Sequence, residues 1–203
     1  MTVYYYRGVP IAAPLTIESN EPFFFSDTLN LSQARVSQAA QRWELSFNVM
    51  FKGEEGDYLA SLLTARNNAE VMVMPQLNSS NRNTTANAVL SVDTPQGAEV
   101  TDISVTTSED GTIIPAGSFV QFTNHDKIYA VTSTLTLSSS GSNILSIYPG
   151  LVAPIDVTVG VLHPGSDDKP MLAYYTTFET LKGVTYEDGI LINPGLISII
   201  EAL

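Results

Sequence analysis

His125 and His163 are the only histidines of the sequence, so a Ser–His–Asp triad would have to use one of them. A Ser–His–Asp triad needs a nucleophile held in a strained elbow, and no G-x-S-x-G segment occurs. His125 falls in the turn-forming run Asn124-His-Asp126 and His163 precedes Pro164, which reads as two loop histidines with local polar contacts. Carboxylates for glycoside hydrolysis could come from Asp156, Asp167, Asp168 or Glu179. That chemistry depends on a separation of about 5 to 9.5 Å, which a sequence does not fix, and Asp167-Asp168 reads as a solvated turn. There is no D-x-[DN]-x-[DN]-G calcium loop and no phosphate-cradling glycine loop. The absence of cysteine removes thiolate nucleophiles, iron–sulfur clusters and Cys-ligated zinc. The expectation is a protein without catalytic, metal or cofactor sites, and not an enzyme.

Around these residues the composition sets the class. The chain has 203 residues, enough for one large or two small domains at about 100 to 200 residues each. Charged residues make up only 15%, against about 25% in ordinary globular proteins, so a folded chain with extensive weakly charged surface is expected. Nine Lys and Arg against 21 Asp and Glu give a formal net charge of −12. Phosphate binding needs clustered cations, so stable nucleic-acid binding is not expected. No stretch approaches the roughly 18 apolar residues that membrane insertion requires. The start, MTVYYYRGVP, lacks the charged-then-apolar order of a signal peptide, so the chain is expected to fold in a reducing, aqueous compartment.

Trp43 to Phe51 alternates apolar and polar residues, which predicts a half-buried strand with Trp43, Leu45, Phe47 and Val49 in the core. After Gly53 the spacing turns helical. Tyr58, Leu59, Leu62, Leu63 and Arg66 share a stripe, predicting one helix over about 54–67 with Leu59 and Leu62 in the core. Glu70 to Met74 reads as a strand stopped by Pro75, and the polar run 77–87 as a linker or long surface loop. Short β patterns follow at Ala88 to Val92, Asp102 to Thr106, Ser118 to Thr123, Lys127 to Leu137, Asn143 to Tyr148 and Ile155 to Leu162. Their spacing, without helical period, suits a small barrel of OB type. Met171 to Thr180 reads as a strand, and 190–203 as two short strands or one bulged strand, because Pro194-Gly195 interrupts it. The fold expected is mainly β with one α-helix. A discontinuous β-rich domain takes residues 1–80 and 164–203, and an OB-like barrel, 85–160, is inserted in it.

Two stretches carry a family resemblance. Ala40-Gln-Arg-Trp-Glu-Leu45, opening an alternating strand and followed by a short helix and a Met-Pro-Gln ending at Gln76, resembles the core of phage distal tail proteins (Dit). Pro115-Ala-Gly-Ser-Phe-Val-Gln-Phe122, Asn124-His-Asp-Lys-Ile-Tyr129 and Ile147-Tyr-Pro-Gly-Leu151 resemble the barrel of those distal tail proteins of long-tailed siphophages that carry an inserted OB-like domain. The stretch 152–164 is longer than that pattern leads one to expect. The resemblance implies a ring, usually of six copies, at the distal end of the tail tube. Its partners would be other copies of the chain, the tail tube protein, and the baseplate hub or tail fibre proteins. The location implied is the virion tail tip, with host cytoplasm during assembly. The inserted barrel in such proteins is likened to carbohydrate-binding modules, which makes cell-surface carbohydrate a further partner to consider and a carbohydrate-binding β module the alternative function.

Two aromatic runs bear on a ring. Tyr4, Tyr5 and Tyr6, and Phe23, Phe24 and Phe25, fall in expected strands, where successive side chains point to opposite faces. One face of each run is covered either by a neighbouring copy, which makes these six residues oligomer-interface candidates, or by a second layer of the same chain. Trp43, in phase with Leu45 and Phe47, reads as core and not as a sugar platform. Candidate ligand contacts in the barrel are Tyr129 and Tyr148, with the core as their other reading. The acidic excess fits a lumen that repels DNA, and equally a surface that keeps an abundant protein soluble.

Overall fold

In the computed structural model, residues 4–27, 33–37, 41–50, 62–76, 89–141, 143–180, 182–188 and 190–203 are described, with backbone only at 23–27, 33–37 and 190. The chain divides into two compact units, Met1–Met72 with Ala173–Leu203, and Val73–Leu172.

The first unit is built on β5 (Arg42–Val49), whose alternation buries Trp43, Leu45, Phe47 and Val49 as the period-two pattern requires. Antiparallel partners flank it: β2 (Val9–Asn20) on one side and β18 (Ile197–Glu201) on the other, so that Leu45 lies opposite both Ile17 and Ile199. β15 (Met171–Thr176) pairs with the far side of β18. With β1 (Tyr5–Tyr6) and β6 (Glu70–Val73) at the edges, the six-stranded sheet runs β1-β2-β5-β18-β15-β6. Strands from the two ends of the chain are thus neighbours in one sheet. Two hairpins accompany it: β3 (Phe23–Asp27) with β4 (Gln33–Ser37), and β16 (Thr185–Glu187) with β17 (Ile190–Asn193).

Of the predicted helix, Leu62–Thr64 is helical; residues 54–61, Leu59 among them, lie outside the described residues, as do 77–88 of the polar run. Leu62 and Ala65 are buried, whereas Leu63 is 46% exposed and Arg66 is exposed. Of the expected stripe within the described residues only Leu62 is buried, and the turn is fastened to β15 through its backbone carbonyls. Thr176 donates its N–H to Ala65 O at 3.0 Å and its hydroxyl to Leu62 O at 3.3 Å.

The second unit is a closed barrel of β7 (Leu90–Val92), β8 (Asp102–Thr107), β10 (Phe119–Phe122), β11 (Ile128–Val131), β13 (Asn143–Tyr148) and β14 (Gly160–Leu162). The order around it is β10-β11-β13-β8-β7-β14, each pair antiparallel. Inward residues such as Ile103, Val105, Val120, Phe122, Tyr129, Leu145, Ile147 and Val161 form one apolar core. The protein is therefore mainly β with a small barrel, closed by six strands where the OB type uses five and is partly open. The strand expected over 127–137 is two. Beyond β11 the exposed Thr132, Ser133 and Thr134 carry the chain to β12 (Leu135–Thr136), which pairs with β9 (Ile113–Ile114) outside the barrel ladder. The strand expected from Ile155 begins only at Gly160, because Asp156 Oδ1 accepts the Thr158 N–H at 2.8 Å and makes a turn of that stretch.

Candidate functional site

The aromatic candidates separate by environment. Tyr4 is half-buried, Tyr5 is 57% exposed, and Tyr6 is wholly buried against Phe47, ring centroids 5.2 Å apart, and Tyr174 at 5.8 Å. The interface role suggested for Tyr6 is thus corrected to a core role, since its face of β1 packs on β5 and β15. Phe23, Phe24 and Phe25 lie in β3, with side chains outside the described residues. Trp43, Leu45, Phe47, Val49 and Leu62 are core, as expected. In the barrel Tyr148 is half-buried, but Tyr129 has no exposed surface, which corrects its suggested part in ligand contact.

The sheet also buries charge. Arg7, in the turn after β1, pairs with Glu70 of β6, and the Tyr174 hydroxyl lies 3.5 Å from the same carboxylate oxygen. Burial raises the phenols of Tyr6 and Tyr174 above their usual range, so both stay neutral in ordinary buffers. Glu201 is wholly buried at the end of β18, where its Oε2 accepts the Trp43 N–H at 3.1 Å. The periodicity did hold a signal for it: Glu201 is in phase with Ile197 and Ile199, the buried face of β18.

Titratable groups of the barrel gather at the turn between β10 and β11. His125, half-buried, bridges Asn124 Oδ1 and the Tyr129 hydroxyl, each at 2.8 Å, and stacks on Phe122. The Tyr129 oxygen also accepts the Val152 N–H at 3.1 Å. Burial pulls the His125 pKa below its ordinary value, with Asp126 opposing and Lys127 adding to the shift. The His-x-Lys-x-Tyr spacing thus has a physical basis: residues four apart across the turn reach each other through Nε2. Lys127, which opens the strand pattern expected over Lys127 to Leu137, is itself buried. His125 and Asp126 line an open cleft of about 590 Å³ together with Asp167, Asp168 and Lys169. His163 is wholly buried, its Nδ1 accepting the Gly165 N–H at 3.1 Å, and Lys169 donates to the carbonyls of Pro164 and Ser166 in the same turn.

Chemically this is a set of backbone-tying contacts. The His125 ring bonds to Asn124 and Tyr129 and the His163 ring to the Gly165 N–H, and among the described residues no group of three or more His, Asp or Glu side chains is placed to hold a metal ion. No family model and no curated protein matches the chain.

Proposed function

We propose that the chain is a structural phage tail protein of the distal tail type. In this reading it forms a ring, usually of six copies, at the distal end of the tail tube of a long-tailed siphophage. The ring joins the tube to the baseplate hub or the receptor-binding tip, and no chemistry is asked of it. The observation that supports the reading best is the pairing of β18 with β5: strands from both ends of the chain share one sheet, while the stretch between them forms a separate barrel. That is the organisation the resemblance at Trp43 and at Asn124-His-Asp-Lys-Ile-Tyr129 implies.

Apolar side chains suited to a neighbouring copy are exposed on the two strands that end the sheet order and that the Arg7–Glu70 pair links: Tyr5 on β1 is 57% exposed and Val71 on β6 is 63% exposed. The alternative, a carbohydrate-binding module, loses one of its two aromatic contacts with the burial of Tyr129. Imaging of the virion tail tip tests the reading. Six-fold density of this mass and fold at the end of the tube is expected; its absence there, with the chain found elsewhere or not at all in the particle, overturns the proposal.

A further inference from the structure

The polar contacts at the β10–β11 turn form a relay with a single sense. Asn124 Nδ2 donates to the carbonyl of Pro154 at 3.1 Å, which leaves Asn124 Oδ1 as the acceptor facing His125 Nδ1. The His125 proton therefore sits on Nδ1. Nε2 then accepts a hydrogen bond from the Tyr129 hydroxyl, while the Tyr129 oxygen accepts the Val152 N–H. Both ends of the relay land on one stretch, Val152 to Pro154, in the connection between β13 and β14. A neutral imidazole satisfies every contact in the relay.

A second proton goes to Nε2, where it removes the acceptor of the Tyr129 hydroxyl and competes with the Val152 N–H for the Tyr129 oxygen, beside Phe122 in a half-buried site. Charged groups lie on the turn itself and elsewhere on the cleft that the ring lines. On its own turn these are Asp126 and the buried Lys127; across the cleft, from the connection after β14, they are Asp167, Asp168 and Lys169. Asp156, in the tethered connection, lines a separate cleft beside Asn124. The Lys169 ammonium is already held by two carbonyls, whereas Asp126, Asp167 and Asp168 are exposed. The two protonation states thus make different demands on the Tyr129 oxygen, which is what a switch requires.

We propose that His125 is an acid-operated latch within the barrel: neutral, it holds the Val152–Pro154 stretch onto the β10–β11 turn through Asn124 and Tyr129, and protonated, it contends with Val152 for the Tyr129 oxygen and releases that stretch. The latch is internal to one unit and does not rest on ring assembly. Burial places the folded pKa of His125 below its ordinary 6.5. The contribution of the latch to stability is therefore fully present above that value and is lost as pH falls through the lower, folded one.

Amide hydrogen exchange on the full chain, corrected for intrinsic rates, tests this from about pH 7.5 down to about pH 4.5. Protection at Val152 should fall as His125 titrates, about tenfold for each unit by which burial lowers its pKa, while β8 and β13 keep theirs. Tyr129→Phe retains the ring but not the hydroxyl, and should leave Val152 weakly protected at every pH. His125→Gln, neutral throughout, should show no pH step. A wild-type profile without a step, a step of equal size in His125→Gln, or a loss that spreads equally over β8 and β13 would each overturn the latch.

Discussion

Trp43 and Glu201 meet at the margin of β5 and β18, where a wholly buried carboxylate serves as acceptor for a backbone N–H. A buried donor deprived of its acceptor costs about 1 to 3 kcal/mol. Glu201→Ala should therefore destabilise the first unit by at least that amount, while Glu201→Gln, which keeps an oxygen and the volume, should cost under about 1 kcal/mol. Urea unfolding followed by Trp43 fluorescence measures both; equal losses would show that the charge, and not the acceptor, matters. At this scale the sequence was legible where one physical demand dominates. Trp43, Leu45, Phe47 and Val49 are buried because period two on a one-sided strand leaves no other outcome. Tyr129 and His125 were harder to read. A tyrosine has an apolar body and a polar tip, and only the fold reveals that the tip of Tyr129 is satisfied inside by His125 and Val152.

Between β17 and β18 the Pro194-Gly195 pair divides the apolar tail into two strands, one of the two outcomes the sequence allowed. The reason lies in Gly195, whose φ is +82° and where a Cβ would fall 2.2 Å from the Lys182 carbonyl oxygen. Gly183 has nearly the same φ, +81°, but open space around its Cβ position. The two glycines separate conformational strain from collision. Gly183→Ala should cost about 1 to 2 kcal/mol from the left-handed backbone alone, and Gly195→Ala that much plus about 1 to 3 kcal/mol of overpacking. Similar urea midpoints for the two variants would mean that the Lys182 contact relaxes freely. Elsewhere the element boundaries failed for identifiable reasons. Uninterrupted alternation sets β13 at Asn143–Tyr148 in sequence and structure alike, whereas the strand expected over Ile155 to Leu162 exceeds β14 by five residues because the Asp156–Thr158 turn has apolar flanks. The β4 strand, Gln33–Ser37, has a composition that announces nothing.

Each unit buries its own core: Tyr6, Trp43, Leu45, Phe47 and Ile199 in the first, and the Leu90 to Val161 cluster in the barrel. The barrel was legible as a series of short strands between turn signals, but its closure by six strands depends on ladders between distant segments, such as β7 with β14, that no local pattern encodes. Two cores on one chain predict unfolding that is not two-state. Trp43 is the sole tryptophan and lies in the first unit, so its fluorescence follows that unit alone, whereas far-ultraviolet circular dichroism follows both. The two urea curves should therefore fail to superimpose. Substitutions then assign the steps. Gly195→Ala should move the fluorescence transition and one dichroism step. Gly150→Ala, where a Cβ would stand 2.7 Å from the Glu99 carbonyl oxygen within the barrel unit, should move the other step and leave the fluorescence midpoint unchanged. If all probes coincide in the wild type and in both variants, the two cores melt as one cooperative body, and separate folding of the barrel is refuted.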